Sequence, residues 1–268
     1  MTDTFSLTAE ELITLCSLTG VTALPGLSTS DVTTLDEEQR VTALATAFRS
    51  LAARGLVGDH RDESADRFIE AVRLAAVPAV RALVVREVDN SMSAVHLAAV
   101  PGQAVQQCWT ADDIHEFSRF PQEDLYLRML GAAGLLDGER GDPVPGEVKA
   151  TGEVLARAGE LAKSGDVAAA ADLLATANPE RNAMRRLVAA MAEPKVSVQV
   201  AVSYGRADGT VRTSEAAWLD GGPHGIWGRI IEAPDIAVDG PVEKSVEVTL
   251  SSLTAESLRD HLLGFLPQ

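Results

Sequence analysis

Pro194-Lys-Val-Ser-Val-Gln-Val-Ala-Val-Ser-Tyr204 decides the fold class, because Val196, Val198, Val200, Val202 and Tyr204 alternate strictly with Ser197, Gln199, Ala201 and Ser203. A period of two predicts a strand with one face buried. Pro194 bars the continuation of a helix that reads from Asn178, an N-cap followed by Pro179, and buries Met184, Leu187, Val188 and Met191. The chain therefore switches from helix to sheet here.

Working outward, strands follow at about 214–219, 226–231 and 244–250, and Gly221-Gly-Pro-His-Gly225 separates the first two. Thr254-Ala-Glu-Ser257 then opens a last helix that buries Leu258, Leu262 and Phe265 and stops at Pro267. Upstream, the same plan is expected. A helix over 63–76 buries Phe68, Val72 and Ala75 and ends at Pro78, and Val80–Val88, Ser93–Ala99 and Ala104–Trp109 form a meander. Its turns fall at Asp89-Asn90 and Pro101-Gly102. Thr110-Ala-Asp-Asp113 reads as a cap opening a helix that Pro121 closes, and a further helix covers 122–136.

Earlier still, Thr8-Ala-Glu-Glu11 is a capping box whose helix ends near Gly20. Glu37–Arg54 places Val41, Leu44, Phe48 and Leu51 at helical spacing before Gly55. Helices at about 147–163, 166–177 and 178–192 open the second half. The fold class is α+β, with helical segments and antiparallel meanders repeated about a quasi-two-fold. The halves are 1–136 and 137–268, packed as one body, with 62–121 and 179–268 as their matching parts.

The 23 Lys and Arg against 39 Asp and Glu leave a formal charge of −16. Such a field repels phosphate backbones and anionic lipid, so DNA, RNA and the inner membrane leaflet are poor partners. No apolar run approaches the roughly 20 residues that span a bilayer, and the amino terminus lacks a signal-peptide pattern, so a cytoplasmic location is expected. Cys16 and Cys108 have neither zinc nor disulfide spacing and read as reduced, small apolar residues.

A search for chemistry yields no catalytic residue, no metal site and no cofactor. His60, His96, His115, His224 and His261 are scattered. Asp112-Asp-Ile-His-Glu116 could place Asp112 and Glu116 on one helix face beside His115, but acids at a helix start are accounted for by the dipole. Asp59-His-Arg-Asp62 reads as a solvated turn. Gly221–Gly225 lies between strands and not between strand and helix, unlike a phosphate loop. There is no Gly-x-Ser-x-Gly, GxGxxG, HExxH or P-loop. Trp218, Ile226 and Trp227 flank the glycine-rich turn in a chain with three tryptophans. They read either as core or as an aromatic anchor for a partner polypeptide on an exposed tip.

Phe5-Ser-Leu-Thr-Ala-Glu-Glu-Leu-Ile-Thr-Leu-Cys-Ser-Leu-Thr-Gly-Val-Thr-Ala-Leu-Pro25, Leu51-Ala-Ala-Arg-Gly-Leu-Val57, the Ala-x-Pro-x-Val openings of both meanders and the Thr254 helix together resemble the EspG family. The resemblance covers nearly the whole chain through apolar patterning. It implies a cytosolic chaperone of actinobacterial type VII (ESX) secretion that holds a PE–PPE-type heterodimer in a secretion-competent state by covering an apolar tip of the PPE hairpin. It implies no catalysis and no cofactor, and it transfers no contact residue by motif. Two rivals stand beside it. Arg49–Val57 resembles the end of a winged-helix unit in a DNA-binding regulator, although the charge opposes that; an uncharacterised enzyme is the other.

Overall fold

The computed structural model describes residues 4–27, 35–58, 63–109, 114–136, 146–175, 180–206, 208–232 and 247–267. They divide into two compact units, residues 1–83 with 93–128 and residues 84–92 with 129–268.

In the first unit, β1 (Thr4–Thr8) leads into α1 (Ala9–Thr19), followed by α2 (Glu37–Ala53) and α3 (Glu63–Ala76). The box at Thr8 forms as read: Glu11 N–H donates to the Thr8 hydroxyl at 3.3 Å and Thr8 N–H to the Glu11 carboxylate at 3.1 Å. Gly20 ends α1 in the left-handed region at φ 74°, where a side chain would be strained. After α3 come β2 (Val80–Val88), β3 (Ser91–Val100), β4 (Gln103–Trp109) and β5 (Ile114–Phe120), of which residues 84–92 count with the second unit. Asp89 and Asn90 both take positive φ, the geometry a tight two-residue hairpin demands. A single 3-10 turn then precedes α4 (Leu125–Ala132), shorter than the 122–136 expected.

Two expectations are corrected here. Ile114–Phe120 is a strand, not the helix Thr110 was to cap. His115, Phe117 and Phe120 are buried while Ile114 and Glu116 are exposed, and antiparallel pairing to both β1 and β4 outweighs the local capping signal. Thr110–Asp113 themselves lie outside the described residues. On α2, Leu51 is buried and Leu44 half-buried, but Val41 and Phe48 face solvent. The core of this unit gathers Leu7, Leu12, Leu15, Phe68, Val72, Ala98, Val105 and Phe117. Phe68 stacks on Phe5 with centroids 4.7 Å apart and meets the edge of Phe117 at 5.8 Å.

The second unit opens on β6 (Glu147–Thr151), where a helix was expected, because Glu147–Thr151 pairs with β10. Thr151 then caps α5 (Gly152–Lys163), which is followed by α6 (Val167–Ala175) and α7 (Arg181–Ala192). The cap read at Asn178 and Pro179 lies outside the described residues. Strands β7 (Val196–Gly205), β8 (Val211–Asp220), β9 (Ile226–Glu232) and β10 (Glu247–Leu253) precede α8 (Ala255–Gly264), capped by Thr254 as read. Val148, Leu174, Leu187, Val188 and Trp227 centre the core.

Strand order runs β1-β5-β4-β3-β2 through the first meander and β6-β10-β9-β8-β7 through the second. In both, the outermost strand is the five residues ahead of a Thr-capped helix. The expected match of Thr110 with Thr254 does not form, because 114–120 is a strand; Thr8 and Thr151 are the caps that each follow an outermost strand.

Candidate functional site

The three residues singled out as an exposed tip are inside. Trp218 is 4% exposed, Ile226 3% and Trp227 1%. The glycine-rich turn explains why. Residues 222–224 form a 3-10 turn seated against α7, where a Cβ on Gly221 would come within 2.4 Å of the Ala190 Cβ. Arg186 reaches the Pro223 carbonyl at 3.3 Å. The glycines therefore dock the turn and do not project it. Trp227 donates its indole N–H to the His224 carbonyl at 3.0 Å and packs with the helices. Trp218 lies opposite Gly228, whose missing side chain leaves the space, since a Cβ there would sit 2.7 Å from that of Trp218.

Beside these buried indoles, a cleft of about 300 Å³ is lined by Gly152 and Leu155 of α5, by Gln199, Ala217 and Arg229 of the sheet, and by Leu250. Pairing puts Gln199 across from Ala217 and Ala217 across from Arg229, so the three strands β7, β8 and β9 contribute one row. The next row along, Ala201–Glu215–Ile231, ends in a half-exposed isoleucine. Small and apolar side chains flanked by Gln199 and Arg229 make a surface suited to an apolar polypeptide with a polar edge.

The first unit closes the corresponding kind of surface. His96, Gln107 and His115 are all buried on one sheet face. The Gln107 amide oxygen lies 3.4 Å from His96 Nδ1, and its NH2 group donates to the Pro25 carbonyl at 2.9 Å and lies 3.3 Å from His115 Nδ1. That chain requires His96 to carry its proton on Nδ1 and His115 on Nε2. Gly26 lies flat on Trp109, where a Cβ would be 2.6 Å from the indole. Burial, aided by Arg81, pushes the pKa of His96 down to about 4, against the opposing bond to Gln107.

His115 and Glu116 thus point to opposite faces of β5, and Asp112 lies outside the described residues. No group of three or more His, Cys, Asp or Glu among the described residues could hold a metal. His224 sits in the docked turn and His261 on α8, while Asp59–Asp62 lie outside the described residues. Burial pushes the Cys16 thiol up to about 11 and raises that of Cys108, with a bond from Gln106 opposing. At the end of α2, Arg54 turns onto Glu11 at 3.0 Å and onto the Ser6 carbonyl at 2.8 Å, so it does not form a basic face with Arg49. Sequence reasoning missed Gln107 and Glu11 as hubs. Their partners lie far along the chain, and only the alternation of Val105, Gln107 and Trp109 hints that Gln107 faces inward.

The family model of EspG matches residues 8–267. The chain belongs to the EspG family. No curated protein matches the sequence. Among solved structures, this EspG-family chain is similar to the Mycobacterium tuberculosis type VII secretion system chaperone EspG5 in its complex with a PE25–PPE41 dimer. The TM-score is 0.61 at 12% identity, with 99% of this chain and 97% of that chain covered. At that identity the likeness shows a shared fold. No helix among the described residues is long and apolar enough to cross a membrane.

Proposed function

We propose that this protein is a cytosolic, non-catalytic chaperone of a type VII secretion system that binds a PE–PPE-type heterodimer. The observation that carries this reading is the family match over residues 8–267. Its fold likeness to a chaperone solved with a PE–PPE dimer supports it. Binding as the mode of action is further supported by the burial of His96 and His115 and by a Cys16 thiol held near 11, which is a poor nucleophile at neutral pH.

The docking face is the second meander, at the cleft bounded by Leu155, Gln199 and Arg229. Trp218, Ile226 and Trp227 contribute by holding that face in shape from within. In the test, the chain is mixed with a PE–PPE-type heterodimer from the same organism, and complex formation is read by co-elution and calorimetry. Arg229→Glu should weaken binding by about tenfold or more with unchanged melting, as reversing a charge at an interface does. Failure of the wild-type chain to bind any such heterodimer would remove the function. Binding unaffected by Arg229→Glu would move the site elsewhere.

A further inference from the structure

Helix α7 begins against the usual electrostatic order. The amino-terminal turn of a helix presents free N–H groups and favours anions, yet Arg181 is the first residue of α7 and Arg185 follows one turn on. Glu180, at the cap position, makes no side-chain bond to those amides. Two cations four residues apart on a helix also repel each other. Both arginines are exposed, and neither has a hydrogen-bond or ion-pair partner among the described residues, in a chain with 39 acids to 23 bases. Arg186 beside them is engaged at the Pro223 carbonyl. A local rule broken without compensation inside the fold points to something bound from outside.

The two arginines wall a groove of about 730 Å³ between α6 and α7, within the range of about 300 to 1,000 Å³ typical of small-molecule sites. Ala168, Ala171 and Ala175 of α6 form the wall opposite, at helical spacing along one face, and Met184, 3% exposed, closes the floor. From Val167 to Ala175 this wall runs about 12 Å, close to the length of an extended dodecyl chain. Asp172 stands on the same wall and forms no ion pair with either arginine.

We propose that the α6–α7 groove binds a small anionic amphiphile, a long alkyl chain ending in a single carboxylate or phosphate head. The head lies between Arg181 and Arg185 at the start of α7, where both guanidinium groups and the free helix amides favour negative charge. The chain lies along the alanines over Met184. A peptide would bring backbone N–H and C=O groups that need partners, and the lining side chains other than Arg181, Arg185 and Asp172 offer none. This site is independent of the chaperone reading and stands or falls without it.

The test is calorimetric titration of the full chain with dodecanoate from about 1 to about 500 µM, below the concentration at which it forms micelles. Saturable one-to-one binding is expected, weakened about tenfold or more by Arg181→Glu and by Arg185→Glu and tightened about threefold by Asp172→Asn. Acetate, the head without the chain, and dodecyltrimethylammonium, the chain with the opposite charge, should not bind. Each variant changes an exposed side chain, and an acid at the start of α7 suits the helix dipole, so lost binding does not come from lost folding. Circular dichroism checks this. No saturable binding of dodecanoate, binding indifferent to both arginine reversals, or equal binding of the cationic amphiphile overturns the proposal. So does a groove that takes an acidic helical peptide in an Arg185-dependent way but no dodecanoate.

Discussion

The two meanders follow one strand order and finish their helix-facing surfaces differently. In the first, a polar chain of His96, Gln107 and His115 ties the sheet to the Pro25 carbonyl, and Gly26 lies on Trp109. In the second, the indoles are equally buried, but the row Gln199–Ala217–Arg229 continues past Gly152 and Leu155 into an open cleft. The same topology can thus be latched shut or left open by what a few side chains reach. In the proposed reading the binding surface lies where the helices stop covering the sheet, and Trp218 and Trp227 line its cleft as buried residues without projecting from it.

The sharpest way to break this comparison is Trp227→Ala. The side chain is 1% exposed and belongs to the core, so its loss leaves a cavity that should cost about 3 to 5 kcal/mol. Chemical denaturation monitors that loss. A variant with unchanged stability and lost partner binding would return Trp227 to the surface role that its burial argues against.

Next comes the closed end. His96 has a folded pKa near 4 against an ordinary 6.5, so the unfolded chain binds its proton first as pH falls. Stability linked to this residue is therefore full above about pH 6.5 and falls as pH drops towards 4, by about 3 kcal/mol in all. Unfolding free energies measured across that window should fall less steeply in His96→Leu than in the wild type. Equal slopes would mean that His96 is already solvated.

Much of this architecture was legible because it rests on local signals. The period-two run from Val196 and the Thr8 and Thr254 caps all formed where the sequence put them. The errors share one cause. β1, β5 and β6 are short strands whose identity depends on partners far along the chain. Ile114–Phe120 carries a helix-start signal that pairing on both sides overrides. At the cleft, the glycines of 221–225 were visible, but whether they project or dock was set by Ala190, about thirty residues earlier. Sequence separation hid the contacts, not weak patterning.

Glu11 extends the same contrast at smaller cost. Besides closing the box on Thr8, its carboxylate accepts from the Ser50 hydroxyl at 2.6 Å and from Arg54 at 3.0 Å, joining α1 to α2 at a site where Glu11 is 7% exposed. Glu11→Ala strands both donors and should destabilise by about 2 kcal/mol. Arg54 remains 40% exposed and can turn to water, which limits the loss. A value below about 0.5 kcal/mol would show the network to be ornamental.

Arg229→Ala should have the smallest effect on folding, and that smallness is what the comparison requires. Arg229 lines the open row, and the side chain across from it is Ala217, which offers no group to leave unpaired. Truncation there removes no buried partner and should change stability by less than about 0.5 kcal/mol. The equivalent truncation at the closed end, Gln107→Ala, removes the partner of His96 Nδ1 and of the Pro25 carbonyl, and each buried group left unsatisfied costs about 1 to 3 kcal/mol. Melting both variants side by side reads the difference directly. Two equal shifts would mean that the cleft row is as internally committed as the latch, and the second meander would lose its claim to be the face kept free for a partner.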